Sequence, residues 1–102
     1  RFQAENWAHN QALVGSLASL AAEAGMTPAQ LSLGWVLAQG PHVHAIPGTT
    51  SLDHLAANAG ARGLSLAPEI LAKAGALINQ HTVAGPRYAE AMQKTIDTEE
   101  FA

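Results

Sequence analysis

VHAIPGTTSLDHLAAN, residues 43–58, is the stretch whose reading decides the fold. Val43, Ala45 and Ile46 make an apolar run that predicts a short buried strand over residues 43–46, and Pro47-Gly48 stops it. Ser51 then suits the N-cap of a helix over residues 51–59, with Leu52, Leu55, Ala56 and Ala59 as its apolar positions. Thr49, Thr50 and Ser51 bring hydroxyls to the same turn. A helix start presents unpaired N–H donors and the positive end of the helix dipole, so a phosphate fits there without a Lys or Arg. Hydroxyl-rich caps are also common for their own sake. The residue chemistry of this turn leaves phosphate binding and plain capping equally open.

Upstream of the turn, Leu13, Val14, Leu17, Leu20, Ala21 and Ala24 fall on one face of a long amphipathic helix predicted over residues 5–24, with Gly25 as its stop. Thr27-Pro28-Ala29-Gln30 follows the capping-box pattern and opens a second helix, residues 28–39. Its expected buried stripe is Leu31, Gly34, Trp35 and Ala38. Downstream, Gly60 closes the helix of the opening stretch, and Pro68 begins another with Ile70, Leu71, Ala74, Leu77 and Ile78 facing inward. Gly85-Pro86 is a turn, residues 88–96 predict a weak final helix, and residues 97–100 (DTEE) read as a frayed tail. One strand among these helices has no partner within the sequence. A lone buried strand leaves its backbone groups unsatisfied, so this one pairs either with another copy or with strands lying upstream.

The totals agree with an ordered, mostly helical chain: 102 residues, 48% hydrophobic and 13% charged, rich in alanine and only 5% aromatic. No run approaches the ~18 apolar residues of a membrane span, and the first residues lack the pattern of a secretory signal. The expected setting is cytoplasmic, with no membrane partner. The absence of cysteine excludes a disulfide framework and a thiol nucleophile. Net charge is −3, and no Lys or Arg occurs between Phe2 and Arg62. Any anion site in that span therefore uses backbone, hydroxyl or histidine groups. The same deficit bears on the helix pair joined by Gly25-Met26-Thr27, which has the outline of a helix-turn-helix. Its second helix carries no cation, which argues against nucleic acid.

Other constellations are weaker. His42 and His44 are two apart, acceptable spacing for metal on a strand face, but no third ligand is evident and no metal site is expected. Ser16, Ser19, Ser32, Ser51 and Ser65 lack a nucleophile-elbow context. Tyr88, the only tyrosine, suits packing or anchoring of the tail better than acid chemistry. No catalytic residue is expected in this chain.

Taken together, the starting RFQAENWAHN, the TPAQLSLGWVLAQG helix, VHAIPGTTSLDHLAANAGA and the GPRYAEAM tail resemble the C-terminal part of a bacterial aldo-keto reductase. The resemblance covers nearly the whole chain and is strongest over residues 27–61. It implies an α/β fold in which residues 1–102 are the C-terminal portion of a single (β/α)8 TIM barrel domain. The chain itself would be mostly α-helical with one short strand, and the upstream strands would be absent. Residues 43–46 would be the eighth strand, residues 51–59 the eighth helix, and residues 5–39 the helical excursion before them. It further implies hydride transfer between NADP(H) and a small aldehyde or ketone. By the same likeness Gly48, Thr49, Thr50 and His54 grip the adenosine 2′-phosphate, Asn58 lies against the adenine, and Arg1, Phe2 and Trp7 stand near the substrate rim. The barrel rule that the last loops and an adjacent helix start form a phosphate site points the same way.

Two departures matter. Positions commonly Lys or Arg in the family are Thr50 and His54 here, and Ala57 replaces an acidic or amide residue, so NAD(H) is not excluded as the cofactor. The family's catalytic Asp, Tyr, Lys and His lie upstream of anything present, and Asp53, Tyr88, Lys73 and His44 stand in no matching context. The segment would supply a cofactor clamp, be inactive alone, and self-associate through its uncovered strand and helix faces. The alternative is a non-catalytic helical interaction or oligomerisation module.

Overall fold

The computed structural model describes residues 1–96, and the acidic tail expected over residues 97–100 lies outside them. Five helices carry the fold: α1 (Ala4–Glu23), α2 (Pro28–Leu37), α3 (Leu52–Gly60), α4 (Pro68–Leu77) and the single-turn α5 (Glu90–Gln93). A 3₁₀ turn, Ala61–Gly63, follows α3 directly. The first four helices fall where hydrophobic periodicity places them, within one or two residues at most ends.

Their ends have local causes. At the close of α1, Gly25 adopts φ +70°, its N–H donates to the Ala22 carbonyl and the Met26 N–H to that of Ala21. This is a Schellman closure, in which the positive φ suits glycine and Met26 is swung back onto the core. At the start of α2 both halves of the capping box form. The Gln30 N–H donates to Thr27 Oγ1 at 3.1 Å, and the Thr27 N–H donates to Gln30 Oε1 at 3.0 Å. Gly60, expected to stop α3, instead keeps helical dihedrals and passes into the 3₁₀ turn.

α2 sits centrally, against α1 on one side and α3 with its 3₁₀ turn on the other, while α4 packs on α1. The core is small: Leu20, Ala21, Leu31 and Ala74, with Leu17, Met26, Trp35, Leu66 and Ile70 packed around them. Gly34 is buried because Leu66 lies over it, where a Cβ would approach Leu66 Cδ1 to 3.0 Å. Trp35 crosses to α4 and donates from Nε1 to the Leu71 carbonyl at 3.2 Å. Ala38, expected in the buried stripe, is exposed.

The strand over residues 43–46 does not form. No residue in that stretch is extended in a ladder, no strand occurs among the described residues, and Ile46 is 94% exposed. The physical reason is the missing partner: a β-strand exists through the N–H and C=O groups of a neighbour, and none is at hand. The apolar face of α3 is likewise uncovered, with Leu52 83% and Leu55 55% exposed. The final helix also shrinks from the expected residues 88–96 to one turn. Total accessible surface is 7558 Å², against roughly 5,500 Å² for a folded monomer of this mass.

Candidate functional site

The polar turn before α3 is built almost entirely from local bonds. Thr49 Oγ1 accepts from the Ser51 N–H at 3.1 Å, and Ser51 Oγ accepts from the His54 N–H at 3.3 Å, which caps the helix. The first intrahelical bond runs from the Leu55 N–H to the Ser51 carbonyl at 2.9 Å. Of the four amide donors that open a helix, Ser51 thus occupies one. Among the described residues, none accepts from the Leu52 or Asp53 amides.

Gly48, Thr49, Thr50 and His54 are all exposed, and Asn58 is half-buried. His54 and Asn58 are four residues apart on α3 and share one face, with His54 in the same first turn as the free amides and Asn58 one turn further on. The arrangement offers an anion two backbone donors, the Thr50 hydroxyl and the His54 ring, without a fixed positive charge. Asp53, in the first turn, complements the helix dipole in the same way an anion would, and it is the one group here that opposes a bound phosphate.

The other expected residues fall elsewhere. His42 and His44 are exposed, and His44 Nδ1 lies 3.0 Å from the His42 carbonyl, an internal contact rather than a shared direction for a metal. Among the described residues, no three His, Asp or Glu side chains gather as a metal set. Phe2 and Trp7 lie side by side with ring centroids 6.1 Å apart, and with Arg1 they line an open hollow of about 380 Å³ against α1. Tyr88 lines a second hollow, with the Arg87 guanidinium 5.4 Å from its ring centroid.

Sequence reasoning missed the polar clasp that holds these hollows together. Asn10, midway along α1, donates from Nδ2 to the Arg1 carbonyl (3.0 Å) and the Ala84 carbonyl (2.9 Å), and accepts from the Ala84 N–H at 2.9 Å. His9 Nε2 meets the Thr82 carbonyl at 2.7 Å. Asn79 forms the bend that brings the chain back. Its Nδ2 donates to the Gly75 and Ala76 carbonyls at the end of α4, and its Oδ1 accepts from His81 and Thr82. An Asn just after a helix was a legible turn signal; Asn10, a half-buried polar residue in line with Leu13, Val14 and Leu17 on the apolar face, marked a polar contact without saying to what.

The chain belongs to the aldo/keto reductase family, whose model matches residues 1–79. Among curated relatives it is 42% identical over 88 residues to a protein named probable aldo-keto reductase 1 from Glycine max, covering 86% of this chain and 25% of that protein. It is 33% identical over 101 residues to aldo-keto reductase str7 of Strobilurus tenacellus, covering 99% of this chain and 30% of that one. Against aldo-keto reductase yakc [NADP(+)] of Schizosaccharomyces pombe the identity is 36% over 88 residues, 86% of this chain and 26% of the relative. The chain thus spans about a quarter to a third of the length of these relatives. No solved structure gives a significant match.

Proposed function

We propose that residues 1–102 are the C-terminal part of a single (β/α)8 barrel domain of a cytoplasmic aldo-keto reductase. In the whole protein a hydride passes between NADP(H) and a small aldehyde or ketone. The family match over residues 1–79 carries this reading. A surplus of about 2,000 Å² of exposed surface over that of a folded monomer supports it physically, as do the uncovered side chains of Ile46, Leu52 and Leu55. A plant and two fungal proteins are the relatives above; the bacterial likeness rests on the segments quoted from the sequence.

In this reading the segment supplies the adenosine-phosphate clamp and none of the catalytic groups. The Leu52 and Asp53 amides, Gly48 with its open backbone, and the hydroxyls of Thr49 and Thr50 take the phosphate, the His54 ring adds a hydrogen-bonding group, and Asn58 meets the adenine. The name of one relative carries NADP(+), which favours NADP(H). The lack of a Lys or Arg in the turn keeps NAD(H) as the alternative.

The test is NADPH and NADH titration of the protein at its natural length, with the His54→Ala and Asn58→Ala variants. His54→Ala is expected to weaken NADPH about fivefold and to leave NADH unchanged. Asn58→Ala is expected to weaken both. The 102-residue chain alone should show no turnover and should associate as its concentration rises. Equal NADPH binding in the wild type and both variants would refute the clamp, and a clean folded monomer of the isolated chain would refute the uncovered-face argument.

A further inference from the structure

The chain carries a net charge of −3 with five Lys and Arg residues in all, yet three of those five, Arg1, Arg87 and Lys94, line one open groove of about 650 Å³. The cations are not placed by chance packing alone, because the walls that bear them are fastened across 84 residues of sequence. Asn10 bonds to Arg1 and Ala84 at once, and Arg1 Nε donates to the Gly85 carbonyl at 3.4 Å. Gly85 is bound to this approach on two counts. Its φ is +82°, and a Cβ there would stand 2.5 Å from Asn6 Nδ2.

Between the cations the lining is Phe2, Pro86 and Tyr88, with the amides of Gln3 and Gln93 beside them. The one acid in the groove, Glu90, is tied to Lys94 at 2.8 Å. Lys94 is thereby neutralised locally, while the guanidinium of Arg1 and that of Arg87 have no carboxylate partner among the described residues. Arg87 is instead held over the Tyr88 ring at 5.4 Å, which fixes its direction and leaves its N–H fork free.

We propose that this groove binds a small organic anion with a flat apolar body, its carboxylate or sulfonate on the guanidinium of Arg87 and that of Arg1 and its ring between Phe2 and Tyr88. A planar fork matches a carboxylate in a bidentate pair, and the aromatic walls suit a flat body more than an alkyl chain. The site is separate from the turn before α3 and needs neither cofactor nor turnover.

The probe is 2-naphthoate, with 2-naphthylmethanol as its neutral counterpart, titrated calorimetrically into the protein at natural length with no cofactor added. Naphthoate should bind at least about tenfold more tightly than the alcohol, and the margin should shrink as salt is raised. Arg87→Gln should erase the margin, Arg87→Lys should restore part of it, and Lys94→Gln should change it less than Arg87→Gln does. Equal affinity for the two probes, or a margin untouched by Arg87→Gln, overturns the proposal. Arg87 is exposed on a turn, so its replacement tests charge rather than folding. The probe offers no carbonyl for hydride transfer, so failure here leaves the reductase reading standing.

Discussion

Two glycines in and beside α1 predict opposite responses to one substitution. Gly15 lies mid-helix with no atom beyond its own stretch of chain within 4 Å of the place a Cβ would take, and the same is true of Gly25, so contact with the rest of the fold contributes to neither change. What differs is the backbone. At Gly15 the dihedrals are helical, and alanine there removes the conformational cost of glycine, about 1 kcal/mol of stabilisation. At Gly25 φ is +70°, where a Cβ meets the following carbonyl at a cost of about 1–2 kcal/mol. The smaller unfolded-state entropy of alanine offsets part of this. The two single variants should therefore differ by about 2 kcal/mol, near a 30-fold change in the folding equilibrium. For a domain of this size each 1 kcal/mol moves Tm by about 4–8 °C, so thermal melts followed by circular dichroism separate them readily. The wild type and both variants must be compared at one protein concentration, because association would shift all three. If Gly25→Ala raises Tm, α1 does not end in a left-handed residue and the Schellman closure is wrong. If Gly15→Ala lowers it, that face of α1 is covered.

Leu31→Ala removes the one large side chain that is fully buried among the described residues, and should cost about 2–5 kcal/mol, whereas Leu52→Ala at 83% exposure should fall within about 0.5 kcal/mol of wild type in this chain; paired urea titrations check both. Asn10→Leu removes three bonds to Arg1 and Ala84. Amide exchange is expected to quicken over residues 80–88 while α2 and α4 keep their protection, and uniform loss throughout would show that Asn10 supports the core instead of the tail.

The helices were legible because their signals are local. Thr27 and Gln30 cap each other within four residues, Pro28 and Pro68 begin helices, and the apolar spacing of Leu17, Leu20 and Ala21 is self-contained. The strand was legible only as a need. Val43, Ala45 and Ile46 have the composition of a buried strand, but extension is a property of a pair, and no pairing segment occurs among the described residues. The hydroxyls and free amides of the turn before α3 could be read in advance, since Ser51 caps as its residue type directs. The partners of the Asn10 clasp could not, because they stand 9 and 74 residues away; the place of Asn10 on the apolar face of α1 shows only that some polar group must meet it.

The turn and the uncovered face are one structural problem. Thr49 and Ser51 bond only to neighbours within four residues, so those bonds set the shape of the turn but not its position relative to anything else. Position would come from whatever holds residues 43–46, which lead into the turn. It would come also from Ile46, Leu52 and Leu55, whose full burial is worth on the order of 5 kcal/mol, as much as the whole stability of a small domain. Covering that face would therefore anchor both flanks of the phosphate donors at once. Preorganised donors bind more tightly than identical donors that must be ordered first. Cofactor affinity at the clamp proposed above should accordingly follow the covering of Leu52 and Leu55, and a charged replacement at Leu52 should weaken it in the natural-length protein although Leu52 need touch no part of the ligand.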